Sequence, residues 1–347
     1  MDGPALARGL LRWLFVILSV PGASQQAHAD APRLGPFETP QPRELAVPQA
    51  DQPFDPSEAL NGSFSSVEHC ARVPNGLWVE AEGKGDCIRY YPAGLSEGEN
   101  PGVLVYLGGD VMLRNTKGVR FITKSYVGQS PATIEADMTE WSDQAGWPAI
   151  FLARPGIYGS SGDHNMRRHL REIALVDRAI DIIKERHGIS SFILTGHSAG
   201  GQIVAALLNR RTDISAAVIT SGLVSVKQVS AFWEKRRQLP GWLLYDSKAF
   251  YDPVSEIDRI PTDPRPDIYV ISDPEDRVVP FFSQLYYVRR LRSAGLDPHH
   301  VYAHASDPQR HVLARNGRLA AAMIAGGRSA RDIRRALNEL DLEAMEQ

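Results

Sequence analysis

The chain has 347 residues, of which 43% are hydrophobic, 23% charged and 8% aromatic. This composition is that of a globular protein with a sizeable core, and it excludes a disordered chain, a collagen-like repeat and a disulfide miniprotein. Lys and Arg number 38 against 41 Asp and Glu, a net charge of -3, so there is no overall basic field to hold nucleic acid.

Residues 1–29 read as a secretory signal peptide. Arg8 and Arg12 give a positive start, Trp13 to Val20 is an apolar run interrupted only by Ser19, and Pro21-Gly22 breaks the helix. Ala27-His28-Ala29 then supplies a small-x-small cleavage pattern, which predicts a mature chain beginning at Asp30. The alternative, an uncleaved anchor, meets an apolar run far short of the ~20 residues a spanning helix needs. The expected location is therefore periplasmic or secreted, with no stable membrane anchor after cleavage. Cys70 and Cys87 are the only cysteines. An even count in an exported protein favours a disulfide between them, and without a histidine at ligand spacing they make no zinc site.

Residues 30–65 are expected to form an extended arm, because prolines at 32, 36, 40, 42, 48, 53 and 56 interrupt any apolar period. Beyond it the pattern alternates. Strands are predicted over 77–81, 87–91, 102–107, 149–153, 192–195, 216–220, 267–271 and 299–303. Helices are predicted over 169–185, where Ile173, Val176, Ile180 and Ile183 share a face, over 200–209, and from Val312 onward with a break at Gly326-Gly327. Such alternation predicts a mostly parallel sheet covered by helices on both faces. In sheets of this kind, ligands lie at the carboxyl ends of the strands.

Gly196-His197-Ser198-Ala199-Gly200-Gly201 stands between a predicted strand and a predicted helix. This is a G-x-S-x-G nucleophile elbow in the context it requires. The turn is sharp, and Gly196 and Gly200 lack the Cβ atoms that would clash there. On these residues the chain resembles the α/β-hydrolase superfamily, specifically an exported serine esterase or peptidase, over roughly residues 66–325. The resemblance implies an α/β-hydrolase domain at 66–347 and a triad in the order Ser, acid, His. Ser198 would be the nucleophile. Asp276, in Ser272-Asp273-Pro274-Glu275-Asp276-Arg277-Val278-Val279-Pro280, resembles the family's acid, with Asp273 and Glu275 as neighbouring competitors. His311 lies where the superfamily histidine falls, with His304 as its rival. Ala199 and the Gly108-Gly109-Asp110 loop would offer oxyanion amides, from Ala199, Gly109 and Asp110. That loop is similar to the His-Gly-Gly loops of esterases, with Leu107 in place of the histidine.

The loop Arg154 to Gly162, with glycines at 156, 159 and 162, also resembles a superfamily loop that shapes the floor of the site. About forty residues separate the strands at 216–220 and 267–271. This predicts a small cap at about 222–262, where Phe232, Trp233, Trp242, Leu243, Tyr245, Phe250 and Tyr251 concentrate. Arg167, Arg168 and Arg171 read as a solvated helix face. The expected chemistry is hydrolysis of a carboxylic ester by an acyl-enzyme route. A serine peptidase of the oligopeptidase type is the first alternative and a non-catalytic binding protein on the same fold the second. The expected partner is a small ester or a short peptide, and the triad implies no metal or organic cofactor.

Overall fold

The computed structural model describes residues 32–237, 240–241 and 246–346. The signal segment lies outside them, as do Trp242, Leu243 and Tyr245 of the expected cap. The centre is an eight-stranded sheet. Its strands are β1 (Gly76–Ala81), β2 (Lys84–Ala93), β3 (Asn100–Leu107), β4 (Ala149–Leu152), β5 (Ile189–His197), β6 (Ile214–Thr220), β7 (Asp267–Ser272) and β8 (His299–Tyr302). Their spatial order is β8-β7-β6-β5-β3-β4-β2-β1. Only β1 and β2 run antiparallel to their neighbours, in the pairs β1–β2 and β2–β4; the remaining pairs are parallel. The main-sheet strands read as nearly continuous apolar runs because helices cover both faces.

The helices are α1 (Pro131–Ala145), α2 (Leu170–Arg186), α3 (Ala199–Leu208), α4 (Val226–Arg237), α5 (Phe281–Ser293), α6 (Ala314–Ala325) and α7 (Ala330–Glu346). One core joins β-strand residues such as Val103, Val105 and Leu107 to Ile173, Val176 and Ile180 of α2 and to α3. The other joins Leu104 and Phe151 to Ile134, Met138 and Trp141 of α1 and to α6. Alternate residues of β3 thus serve opposite faces, as the period of two requires. The residues of α3 are all buried, so its amphipathic signal is weak. No helix among the described residues is long and apolar enough to cross a membrane.

Two parts differ from the sequence reading. α1 and α5 are not among the predicted helices, although Ser130 and Thr133 form a capping box at the start of α1. The segment 32–65, expected as an extended arm, is packed on the domain. Leu34, Phe54, Ala59 and Leu60 enter the second core. Pro56–Asn61 is a short helix capped by Asp55, whose carboxylate accepts from Ser57 N at 2.7 Å. The apolar residues here are spaced irregularly between prolines, so they bury without leaving a period to read.

Cys70 and Cys87 form a disulfide with Cα atoms 5.4 Å apart. It sits in a small core with Leu45 and Val73 and ties the segment before β1 to β2. The bridge closes a sequence separation of 17, a loop for which the chain-entropy account gives about 3 kcal/mol. The Cys70→Ala/Cys87→Ala double variant should lose about 2–3 kcal/mol in urea unfolding, and the oxidised parent should lose a similar amount when reduced. Equal stability with and without reductant would contradict this.

Candidate active site

β5 and β3 are neighbours, with Gly196 opposite Leu107 in register. The turn after β5 and the loop after β3 therefore lie side by side at the carboxyl edge of the sheet. Ser198 occupies that turn at φ 54°, ψ −116°, a conformation costly for a residue with a Cβ. The surroundings fix it. Ser198 N donates to Thr220 O at 2.9 Å, and Ser198 O accepts from Leu223 N at 3.0 Å. A Cβ on Gly196 would stand 2.4 Å from Gly200 O, and one on Gly200 would stand 2.0 Å from Leu107 O. Only glycine permits this approach. Ala199 opens α3, so its amide belongs to the first turn, which has no partner within the helix.

His311 Nε2 lies 2.9 Å from Ser198 Oγ, and His311 Nδ1 lies 2.9 Å from Asp276 Oδ2. The other carboxylate oxygen of Asp276 accepts from Val278 N at 2.8 Å and Val279 N at 2.9 Å. The Val-Val stretch thus orients the acid through its amides. Asp273 and Glu275 do not join this chain. Asp273 accepts from Arg310 and from the amides of Ala305 and Glu275. Burial opposes its charge, but the bonds from Arg310 and the two amides hold its carboxyl below the usual range. His304 turns to Arg310, with Nε2 2.9 Å from the guanidinium. Asp273 and His304 therefore both brace the histidine loop.

Several residues around the site were not singled out in the sequence. Asp307 accepts from the amides of His311 (2.8 Å), Val312 (2.7 Å) and Gln309 (2.9 Å). Burial works against this carboxylate, yet those amides hold its pKa low. Ser221 Oγ donates to His311 O at 2.7 Å. His197 lies beside His311, ring centroids 5.0 Å apart, and its Nδ1 is 3.1 Å from Thr220 Oγ1. Burial, with His311 adding repulsion, pushes His197 down to about 3. The Asp-Pro turn signal before His311 could have marked Asp307; nothing in the sequence separates His197 from an ordinary elbow residue.

The loop after β3 passes close to the serine. A Cβ on Gly109 would meet Ser198 Cβ at 3.4 Å. The next side chain, Asp110, faces inward among cations. Arg154 Nη1 donates to Asp110 Oδ1 at 3.0 Å and to Gly108 O at 3.4 Å. Arg167 Nε donates to Asp110 Oδ2 at 3.0 Å, and Arg168 also bonds that oxygen. Burial alone would raise the Asp110 pKa, but Arg168, Arg167 and Arg154 hold it well below the usual carboxylate range. Glu172 engages Arg154 at 2.9 Å. The expectation of a solvated face for Arg167, Arg168 and Arg171 is therefore corrected. The first two clamp Asp110, and Arg171 pairs with the buried Asp86 at 2.6 Å. Charged residues before a helix usually face water, and here the facing carboxylates are distant in sequence.

The loop 154–162 lies on β2. Ser161 Oγ accepts from Cys87 N at 2.8 Å, and Ser160 Oγ accepts from Arg89 N at 2.9 Å. Of this loop, Arg154 reaches the Gly108-Gly109-Asp110 loop. In the segment expected as a cap, Val226, Val229 and Phe250 pack with Leu223 and Val279, and Trp233 Nε1 donates to Val278 O at 3.0 Å. No group of three or more His, Cys, Asp or Glu among the described residues could hold a metal ion.

The strand order, the strained serine after β5 and the helices on both faces define the α/β-hydrolase fold. No protein-family model matches the chain, and no curated protein matches it. Solved structures do. Puromycin hydrolase superposes with a TM-score of 0.52 at 13% identity, covering 74% of this chain and 40% of that one. Acylaminoacyl peptidase from Pyrococcus horikoshii matches at 0.44 and 16%, covering 66% of this chain and 36% of that one. Esterase Pf2001 from Pyrococcus furiosus matches at 0.45 and 14%, covering 66% and 80%. The chain thus spans well under half the length of the first two. At these identities the likeness is one of fold.

Asp110→Asn would leave three guanidiniums around a neutral amide, and breaking a buried pair in this way costs about 3–5 kcal/mol. The sign with pH follows from the depressed pKa. The contribution of Asp110 is fully present above its unfolded value near ~3.9 and is lost only as pH falls through the lower folded value. Urea unfolding between pH 3 and pH 7 should show the parent losing stability towards pH 3 more steeply than Asp110→Asn. Parallel pH curves would contradict it.

Proposed function

We infer that the protein is an exported serine hydrolase that cleaves a carboxylic ester through an acyl-enzyme intermediate. The observation that carries this reading is the unbroken chain from Asp276 through His311 to Ser198, at 2.9 Å and 2.9 Å, with the serine at a strained elbow. In this mechanism Ser198 Oγ attacks the ester carbonyl while His311 Nε2 takes its proton. Asp276 holds the ring by Nδ1 and stabilises the imidazolium as it forms. The oxyanion is met by the amide of Ala199 and by those of Gly109 and Asp110 on the adjacent loop. His311 then protonates the departing alcohol. In the second half it deprotonates a water that releases the acid and restores Ser198. Burial keeps His197 neutral beside this relay, so His311 is the imidazole that carries the proton.

The likeness to puromycin hydrolase favours keeping amide cleavage as a second reading. Export rests on the signal pattern of residues 1–29, and the Cys70–Cys87 bridge is consistent with an oxidising compartment.

Purified protein from residue 30 onward should turn over p-nitrophenyl esters. Ser198→Ala and His311→Ala should each lower kcat by about 10⁴-fold or more, and Asp276→Asn by a comparable factor. Aminoacyl p-nitroanilides turned over as well as esters would move the assignment to a peptidase. Silence on both substrate classes, with no fluorophosphonate labelling of Ser198 in folded protein, would leave a binding role. Amino-terminal sequencing of protein recovered from the periplasm or medium checks the start at Asp30.

A further inference from the structure

A recess lies across the loop after β3 from Ser198, on the side away from the segment 222–262. It is a cavity of ≈ 180 Å³ walled by the rings of Tyr106, Phe151 and Tyr158, with the buried Met138 beneath and Arg318 and Ser125 towards solvent. Ligand sites usually run to about 300–1,000 Å³, so this one holds part of a ligand. A volume of about 150 Å³ suffices for a benzene ring, and here the ring walls open at a polar rim of Ser125, Gln129, Asp137 and Arg318. The rings are placed to pack one more. Tyr106 and Phe151 have centroids 6.0 Å apart, and Phe151 and Tyr158 meet edge to face at 5.2 Å.

The recess is joined to Ser198 through two glycines. A Cβ on Gly108 would meet the Phe151 ring at 3.7 Å, and one on Gly109 would meet Ser198 Cβ at 3.4 Å. The loop that would carry the oxyanion amides therefore lies between the aromatic wall and the nucleophile. In the sheet, β3 and β4 flank β5 on this side, whereas β6 and β7, which bracket the segment 222–262, lie on the other. The recess is thus separate from the apolar floor of Leu223, Val226 and Val229. Its one cation is loosely held. The Arg318 guanidinium lies 5.8 Å from the Tyr106 ring centroid and 3.9 Å from an Asp137 carboxylate that is 62% exposed. An exposed pair of this kind contributes little and leaves the cation available to an incoming anion. Burial pushes Tyr106 up to about 12, so the one negative group lining the recess is the largely exposed Asp137, which an incoming anion must displace from Arg318.

The geometry points to an aromatic subsite beside the nucleophile: the favoured substrates carry an aromatic ring that enters between Tyr106, Phe151 and Tyr158, with an anionic group within reach of Arg318. This assignment rests on the serine hydrolase reading and names its substrate class.

The test separates the two. Calorimetry on Ser198→Ala protein, which needs no turnover, compares phenylacetate with cyclohexylacetate, its non-aromatic counterpart, and with benzyl alcohol, its uncharged one. Phenylacetate should bind about tenfold more tightly than either. Arg318→Gln should remove most of that advantage over benzyl alcohol. Ser125→Trp, an exposed position whose new ring would fill the mouth, should remove most of the advantage over cyclohexylacetate. Wild-type enzyme should likewise prefer ethyl phenylacetate to ethyl cyclohexylacetate. Equal binding of phenylacetate and cyclohexylacetate, or binding untouched by both variants, overturns the subsite. Ester cleavage dependent on Ser198 but blind to the ring overturns it while leaving the hydrolase standing. A complete lack of ester and anilide cleavage overturns the hydrolase reading and this substrate assignment with it.

Discussion

Ser198 is held at φ 54° by contacts that leave no room for a Cβ on either flanking glycine. Such a conformation persists only where the surrounding structure over-determines it. Here the determinants come from three strands. β5 leads into the turn, the end of β6 supplies Thr220 O to the serine amide, and Leu107 O at the end of β3 presses on Gly200. The register that sets Gly196 opposite Leu107 is therefore a condition of the site. A one-residue slip would exchange the faces of the strand and separate the glycines from the carbonyls they accommodate. The two apolar cores fix that register, so the burial that folds the sheet also maintains the strained turn.

Charge is handled by the same economy of distance. Four aspartates lie on the loops around the serine, and each anchors a loop through several donors. Asp276 accepts from two amides of its own loop and presents its remaining oxygen to His311. Asp307 gathers three amides of the histidine loop. Asp273 ties that loop to the end of β7 through Arg310 and Ala305. Asp110 fastens the loop after β3 to the approach of α2 through Arg154, Arg167 and Arg168. A carboxylate accepting several amides or guanidiniums is stabilised in its charged form, and its removal would leave those donors unpaired. Asp110, Asp273 and Asp307 are thus held ionised by these donors against the burial that opposes their charge.

The sheet and the elbow were legible because their signals are local. An apolar run followed by Gly-x-Ser-x-Gly and a helical period needs no information from elsewhere in the chain. Ser198, Asp276 and His311 were readable from chain order, and the structure brings those three together. What escaped the sequence depends on contacts between distant residues. Asp110 was selected for its amide, while its side chain meets Arg167 and Arg168 nearly sixty residues later. Those arginines looked like a wet helix face because nothing near them in sequence carries the opposing charge. The segment 32–65 looked detached because Leu34, Phe54 and Leu60 are too irregularly spaced to form a period, although each finds a place in the core. α1, by contrast, carries a local signal of its own: Ile134, Met138 and Trp141 stand at i, i+4 and i+7 behind the Ser130 cap.

The position of His197 bears on the surroundings of His311. Two imidazoles with centroids 5.0 Å apart cannot share a positive charge at little cost, because each cation disfavours the other. Both rings are buried, but only His311 has a carboxylate partner. His197 is enclosed beneath the loop after β3 and bonded to Thr220, and its basicity collapses to about 3. His311 keeps a carboxylate on one nitrogen and the serine hydroxyl on the other. Ser198 Oγ therefore faces one oriented imidazole, and the neighbouring ring contributes shape beside it. The same burial brings the His197 ring against Gly109, where a Cβ would stand 3.6 Å from its Cδ2. His197, which precedes Ser198, thus helps to set the distance between the serine and the loop opposite it.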